Sequence, residues 1–297
     1  MIDAISLLAS AVPLPDAAGY TRWESLGLTP GIDLGFFTLR WYSLAYLVGI
    51  FGGYLMLRRT LREPGAPMSL THLDDLLLWG MMGVILGGRL GYVLFYQPGY
   101  YLANPGHVLR LWDGGMSFHG GFLGVIGAVW WASRKHGLNF LRAMDWVAVI
   151  VPFGMLLGRL ANFVNGELWG RVTSVPWALI FPADPTQLPR HPSQLYQAGL
   201  EGLALLIIMA LLFWRTKARY YPGLMCGVFA LWMGLARFFV EFFREPDAQL
   251  TGLVARTGLS MGQWLTIPLI LIGLYLVTTA RRRRQRVEPF AGGASIA

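Results

Sequence analysis

One cysteine, Cys226, occurs in 297 residues, and it lies inside an apolar run, so an intramolecular disulfide is excluded and the redox compartment cannot be read from cysteine usage. Charge is also scarce: 13% of residues are Asp, Glu, Lys or Arg, against 55% hydrophobic and a mean hydropathy of +0.49. That balance excludes an ordinary soluble domain. The opening residues, MIDAISLLASAVPLP, lack a basic n-region, so a cleaved signal peptide is not expected. No P-loop, HExxH zinc motif or GxSxG elbow is present, and the five histidines are scattered over separate segments. Neither metal-assisted hydrolysis nor serine acylation is expected, and no metal or other cofactor. No internal repeat is evident.

What is abundant is apolar sequence broken by short basic blocks. The net charge of +8 therefore points to topology determinants and anionic lipid, not to nucleic acid. A helical span needs about 20 apolar residues to cross about 30 Å of hydrocarbon. Runs of this kind cover residues 41–57, 73–95, 117–132, 143–164, 195–214, 222–242 and 260–280. The expected fold is an all-α polytopic membrane protein with seven transmembrane helices. Dense basic loops hold Arg58, Arg59 and Arg62; Arg134, Lys135 and Arg142; Arg215, Lys217 and Arg219; and residues 281–284 with Arg286. They alternate with loops carrying Arg110, then Arg171 and Arg190, then Arg244 and Arg256. The dense loops are expected inside, which puts the N-terminus outside and the C-terminus inside. The division expected is an interfacial segment 1–39, a membrane domain 40–280 with a small external cap over 171–193, and a basic tail 281–297. The cap reading rests on VPWALIFP, a strand-like run between Pro-rich turns.

Charged groups at bilayer depth are costly, which makes them functional candidates. Arg159 lies 17 residues beyond Arg142, Arg237 18 beyond Arg219, and Arg89 17 beyond His72. At 1.5 Å per residue each has travelled about 25 Å from the inner boundary. His119 opens the inward-running third span at that same level, and Glu167 and Glu241 close theirs there. In the fourth span Arg159, Asn162 and Gly166 share one face, with Asn165 and Glu167 at the exit turn. Arg237 and Glu241 stand at i, i+4 and can pair, and Glu201 in the fifth span can partner an arginine. Arg244, Glu245 and Asp247 read as a solvated cluster at the exit. Gly120, Gly124 and Ala128 form a smooth packing face, while His119 stands before Gly120 and Gly121 at the membrane edge. Arginine's planar fork suits phosphate, so an anionic lipid headgroup is the expected ligand.

With HGGFLG, GRLANFVNGELWGR, RHPSQLYQAGLEG and RFFVEFFREPD in this order, the chain resembles the prolipoprotein diacylglyceryl transferases over about residues 33–280. The resemblance implies a seven-span protein of the bacterial cytoplasmic membrane with its active site toward the periplasm. It implies transfer of a diacylglyceryl group from phosphatidylglycerol to the lipobox cysteine of a prelipoprotein signal peptide, with release of glycerol 1-phosphate. His119 matches the family's HGG histidine; Arg159, Asn162, Glu167 and Gly170 match its fourth-span motif; Arg237, Glu241 and Arg244 match its sixth-span motif; Tyr42 matches a first-span tyrosine. A tyrosine carried by some relatives one turn before the sixth-span arginine is Met233 here. The catalytic set expected is His119 as base or thiol orienter, with Arg237 and Arg159 stabilising the leaving phosphate. Tyr42, Arg89, Gly120, Gly121, Asn162, Asn165, Glu167, Gly170, Glu241 and Arg244 are expected to bind substrate. Two other readings use the same arginines: an anion or anionic-lipid transporter, and an assembly subunit that recognises signal-peptide helices without chemistry.

Overall fold

The computed structural model describes residues 19–36, 38–245 and 257–285, apart from the side chains of Phe118, His119 and Met261. The expectations for Asp247, Arg256 and the end of the tail fall outside these residues. Each of the seven apolar runs is helical: α1 Trp41–Thr60, α2 Leu70–Phe95, α3 Phe118–Lys135, α4 Phe140–Val164, α5 Ser193–Arg215, α6 Leu224–Val240 and α7 Met261–Thr278. Three of them, α2, α4 and α5, are long and apolar enough to cross a membrane; α6 and the Gly262–Thr278 stretch of α7 are shorter apolar helices. Large apolar side chains such as Leu47, Phe51, Leu271 and Tyr275 stand exposed, as they do when the surrounding solvent is lipid. Among the described residues the strands form two pairs: β1 Thr21–Arg22 lies parallel to β4 Leu179–Ile180, and β2 Gly31–Asp33 antiparallel to β3 Thr38–Arg40. Within the run VPWALIFP, only Leu179–Ile180 is strand.

Two compact units divide the chain. The first holds Met1–Phe51, Val151–Ile208 and Ala230–Gly273. Its small cap is built on Trp23, Leu179 and Phe181, with Trp169 stacked on Phe181 and the Trp23 indole donating to the Phe163 carbonyl at 2.9 Å. Arg190 locks the cap. Its guanidinium donates to Asp184 at 2.6 Å, to Glu245 at 2.9 Å and to the Thr186 hydroxyl at 3.1 Å. Glu245, half exposed, thus reaches Arg190 as well as standing beside Arg244 at the exit of α6.

Acid should loosen this cap in two stages. Burial pushes the His191 imidazole below its ordinary value. Burial works against ionisation of Asp184 too, but hydrogen bonds from Arg190 and Thr186 outweigh it and hold the carboxyl below its usual range. In both cases the unfolded chain takes up its proton first, so the stabilisation is complete above the unfolded value and declines as pH falls. Hydrogen exchange over residues 171–191, corrected for intrinsic rate, should begin to rise below about pH 6.5 and rise again below about pH 4. A protection pattern flat from pH 7 to pH 4 would contradict the assignment to His191.

The second unit holds Gly52–Ile150, Met209–Phe229 and Leu274–Ala297. Here the glycine face of α3 is a packing seam. A Cβ on Gly120 would collide with the Gly87 carbonyl, and one on Gly124 with the Gly83 carbonyl, so α2 and α3 approach backbone to backbone. Ser117 caps α3, its hydroxyl accepting from the Gly120 amide at 3.2 Å, and Gly121 lies 3.5 Å from the Val84 carbonyl by the same Cβ construction. At the other end of the unit the buried Asp145 accepts from the Gly223 and Cys226 amides at 2.7 and 2.8 Å, where α6 begins. A carboxylate there complements the helix dipole and satisfies two orphan donors.

Candidate active site

Arg89 is held differently from what its depth suggested. Only 3% exposed, it donates to five backbone carbonyls of the segment after α2: His107 at 2.6 Å, Val108 at 2.8 Å, Arg110 at 2.9 Å, Gly115 at 3.3 Å, and Gly114. Its guanidinium also lies over the Tyr101 ring at 5.2 Å. A fork so fully occupied anchors a loop; its N–H groups are not presented to a headgroup. His119 is the second residue of α3, and its side chain lies outside the described residues.

The remaining charged candidates meet within the first unit. From α4, Arg159 donates to the Asn162 amide oxygen at 3.4 Å; Asn162 donates to Glu167 at 2.9 Å and Asn165 to the same carboxylate oxygen at 3.3 Å. From α5 comes Glu201, fully buried, with Arg159 at 3.9 Å on one oxygen and Arg237 at 3.6 Å on the other. Arg237 of α6 also faces Glu241 at 3.3 Å, and Glu241 faces Arg244 at 3.5 Å. The result is a chain of alternating charge, Arg159–Glu201–Arg237–Glu241–Arg244. Tyr42, near the start of α1, reaches the Tyr46 hydroxyl at 3.3 Å and lies within electrostatic range of Glu167 and Arg159.

The lengths of these contacts distinguish them from the cap. Charge-assisted hydrogen bonds settle near 2.7–2.9 Å. Arg190, 8% exposed by its side chain, meets that standard with Asp184. Arg159 and Arg237 do not: their ion pairs run from 3.3 to 3.9 Å, with side chains 22% and 18% exposed. Both oxygens of Glu201 and one of Glu241 are buried without a hydrogen-bond partner among the described residues. The arginine forks are thus oriented by carboxylates but not closed by them, which leaves donors for an incoming anion.

A family model described as prolipoprotein diacylglyceryl transferase matches residues 31–279. The chain belongs to this family. Among its relatives, the phosphatidylglycerol–prolipoprotein diacylglyceryl transferase of Erythrobacter litoralis is 57% identical over 267 residues, which is 90% of this chain and 94% of the relative. Those of Zymomonas mobilis and Pseudomonas putida are each 49% identical, covering 88% and 87% of this chain and 94% and 95% of theirs. The protein is accordingly an enzyme, a diacylglyceryl transferase.

Several residues that support the transferase site escape a reading by charge. Gln194, fully buried on α5, donates to the Glu167 carbonyl at 2.5 Å, and Ser193 to the Leu168 carbonyl at 3.1 Å, fixing the exit turn of α4. Ser193, Gln197 and Glu201 recur every four residues, so the polar stripe was present in RHPSQLYQAGLEG as spacing. The widening of α5 into a π-helical turn over Ala198–Ala204, which carries Glu201, was not. Trp232 of α6 donates to the Leu200 carbonyl in that turn at 2.9 Å. Gly170 is needed because its backbone is pressed between two others: its amide donates to the His191 carbonyl at 2.8 Å, and a Cβ would strike the Phe243 carbonyl.

Gly262 is the least expected member. A Cβ there would sit 2.7–2.9 Å from the Glu241 carboxyl group, which is 4% exposed and has little room to retreat. Gly262→Ala should displace Glu241 and with it Arg237, lowering transfer about 10- to 100-fold, as ångström-scale misplacement of a catalytic group does. Membrane levels should be retained, and Gly127→Ala, where nothing lies within 4 Å, should leave activity near normal. Equal activity of the two variants in a transfer assay would show that Glu241 does not position the arginine.

Proposed function

We propose that the chain transfers the diacylglyceryl group of phosphatidylglycerol to the lipobox cysteine thiol of a prelipoprotein, forming a thioether and releasing glycerol 1-phosphate, the first step of lipoprotein maturation. The observation that carries this reading is the pair of open arginine forks, Arg159 and Arg237, held by long ion pairs to the buried Glu201 and Glu241. A phosphodiester is an anion that accepts such forks in a fixed orientation.

The chemistry follows from charge. The substrate thiol loses its proton to a base, and the thiolate sulfur attacks the glyceryl carbon that bears the phosphate ester. The C–S bond forms as the C–O bond breaks, and the phosphate oxygen leaves with the bonding pair. Arg237 and Arg159 neutralise that growing charge by a preorganised field, an effect worth about 3–4 kcal/mol per donor. His119 is the base or thiol orienter, on resemblance alone. Glu201 and Glu241 aim the arginines; Tyr42, Asn162, Asn165, Glu167, Gly170 and Arg244 shape the headgroup site. Gly120 and Gly121, which follow His119, pack α3 closely on α2 and border the substrate, and Arg89 holds the outer segment in place.

The membrane arrangement belongs to the same proposal: seven spans in the bacterial cytoplasmic membrane, residues 1–39 and the 171–193 cap periplasmic, 40–280 the membrane domain and 281–297 a cytoplasmic tail. The lopsided loop charges support it. A reporter fused after Arg286 should read cytoplasmic and one inserted in 171–193 periplasmic; the reverse pattern would overturn the orientation. For the reaction itself, purified protein mixed with phosphatidylglycerol and a lipobox peptide should give a peptide heavier by one diacylglyceryl group. No such product, or an equal yield with phosphatidylcholine, would contradict the proposal.

A further inference from the structure

Residues 96–116 join α2 to α3 and form a small arm in the second unit, made of a short helix Pro98–Ala103 and two single 3-10 turns, Pro105–Leu109 and Leu111–Asp113. Its outer side carries Leu102, Leu109 and Trp112, each 77–84% exposed, as expected of a segment lying in a membrane interface. Its inner side is cupped. A cavity of about 250 Å³ is lined by Tyr92, Gln97, Tyr100, Tyr101, His107 and Asp113 and floored by Gly114 and Gly115. The cup is built, not incidental. Arg89 ties down the second half of the arm through carbonyls between His107 and Gly115, and the Tyr92 ring lies so close to Gly115 that a Cβ there could not fit. The rings meet edge to face, Tyr100 on Tyr101 at 5.1 Å and Tyr92 on Tyr101 at 6.4 Å.

The lining decides the class of ligand. Among the described residues no lysine or arginine lines the cavity and Asp113 does, which opposes an anion. The Arg89 guanidinium already sits over Tyr101, which opposes a second cation. What remains is a neutral molecule, smaller than the drug-sized occupants of sites of about 300–1,000 Å³. Tyr100 and His107 bond each other at 2.6 Å, while the Tyr92 phenol, the Gln97 amide and the Asp113 carboxylate have no side-chain hydrogen bond among the described residues. Donors and acceptors therefore converge between aromatic walls, the complement of adjacent hydroxyl groups.

We propose that this cup binds a glycerol-like polyol, supplied by the headgroup of an outer-leaflet lipid or as free polyol. Its placement at the outer leaflet rests on the orientation given under the proposed function; the polyol chemistry does not. Full-length protein is placed in phosphatidylcholine nanodiscs, alone, with phosphatidylglycerol, or with free glycerol, and hydrogen exchange is read over residues 97–115. Phosphatidylglycerol should slow exchange there. Free glycerol doing the same at high concentration identifies the polyol itself as the ligand, and protection by the lipid alone identifies the anchored headgroup. Gln97→Ala with Asp113→Ala, both at exposed positions, should weaken the response about tenfold, the worth of two ordinary hydrogen bonds. Arg237→Lys, which keeps a cation facing Glu201 and Glu241, should keep the response, because the cup does not use that arginine. Protection that is absent with both polyols, or unchanged in the double variant, would overturn the proposal. Protection without any transfer activity would overturn the proposed function and leave the cup standing.

Discussion

Arg237→Lys is expected to lower diacylglyceryl transfer about 10²- to 10³-fold, the loss typical of removing one preorganised stabiliser of transition-state charge. Lysine keeps the charge but not the planar fork, so a phosphate held at two oxygens becomes held at one. Membrane levels should stay near normal, because a cation still faces Glu201 and Glu241. Charge removal separates catalysis from scaffolding. Arg237→Gln alone leaves two buried carboxyl groups short of a partner and should destabilise the protein by several kcal/mol. Adding Glu241→Gln restores the balance, since Glu201 keeps Arg159. If Arg237 were only a structural counter-ion, the double variant would recover both stability and transfer. The catalytic assignment expects recovered thermal stability with transfer still about 10²-fold down or lower. Arg159→Lys should behave like Arg237→Lys. An active double variant would move Arg237 to the scaffold and leave Arg159 as the remaining stabiliser of the leaving phosphate.

His119→Gln is expected to cost transfer about 10²- to 10⁴-fold at neutral pH, the span attributed to a positioned general base. The fold of the first turn of α3 does not depend on this side chain, because Ser117 caps it through the Gly120 amide whatever residue 119 is. The pH profile gives an independent readout. A free thiol titrates near 8.5, so raising the pH toward 9 should restore part of the lost rate if His119 makes the thiolate. No recovery with pH would assign His119 to orienting the thiol, and near-normal activity at pH 7 would remove it from the mechanism.

Helix rise and charge spacing made much of this charge cluster legible in the sequence. Arg159 with Asn162, and Arg237 with Glu241, are separated by one helical turn, and a helix has no choice but to stack such pairs. The same periodicity exposed the Gly120–Gly124 face as a seam. Depth was a weaker guide. It grouped Arg89 with the other arginines, although nothing in its spacing could show that backbone carbonyls of the following loop would occupy its fork. The exit-turn charges were only half legible: Glu245 is half exposed, as its position suggests, yet it also pairs with Arg190, 55 residues earlier in the chain. Glu201 shows the limit in the other direction. Its residue type marked it as a candidate partner, yet bridging two arginines depends on a π-helical turn, and no 3.6-residue pattern encodes one. Gly262 carries no signal at all, because its role is the absence of a side chain beside a carboxyl group brought there by α6.

Carbon–oxygen cleavage at the lipid headgroup is the central claim, and an isotope in the bond to be broken tests it most directly. Phosphatidylglycerol carrying ¹⁸O in the ester bridge between the diacylglyceryl carbon and phosphorus is incubated with purified protein and a lipobox peptide, and both products are weighed by mass spectrometry. Attack of sulfur on carbon leaves the label wholly in the released glycerol phosphate and an unlabelled diacylglyceryl thioether on the cysteine. Label retained with the diacylglyceryl product, or release of glycerol phosphate without a thioether, would contradict the account.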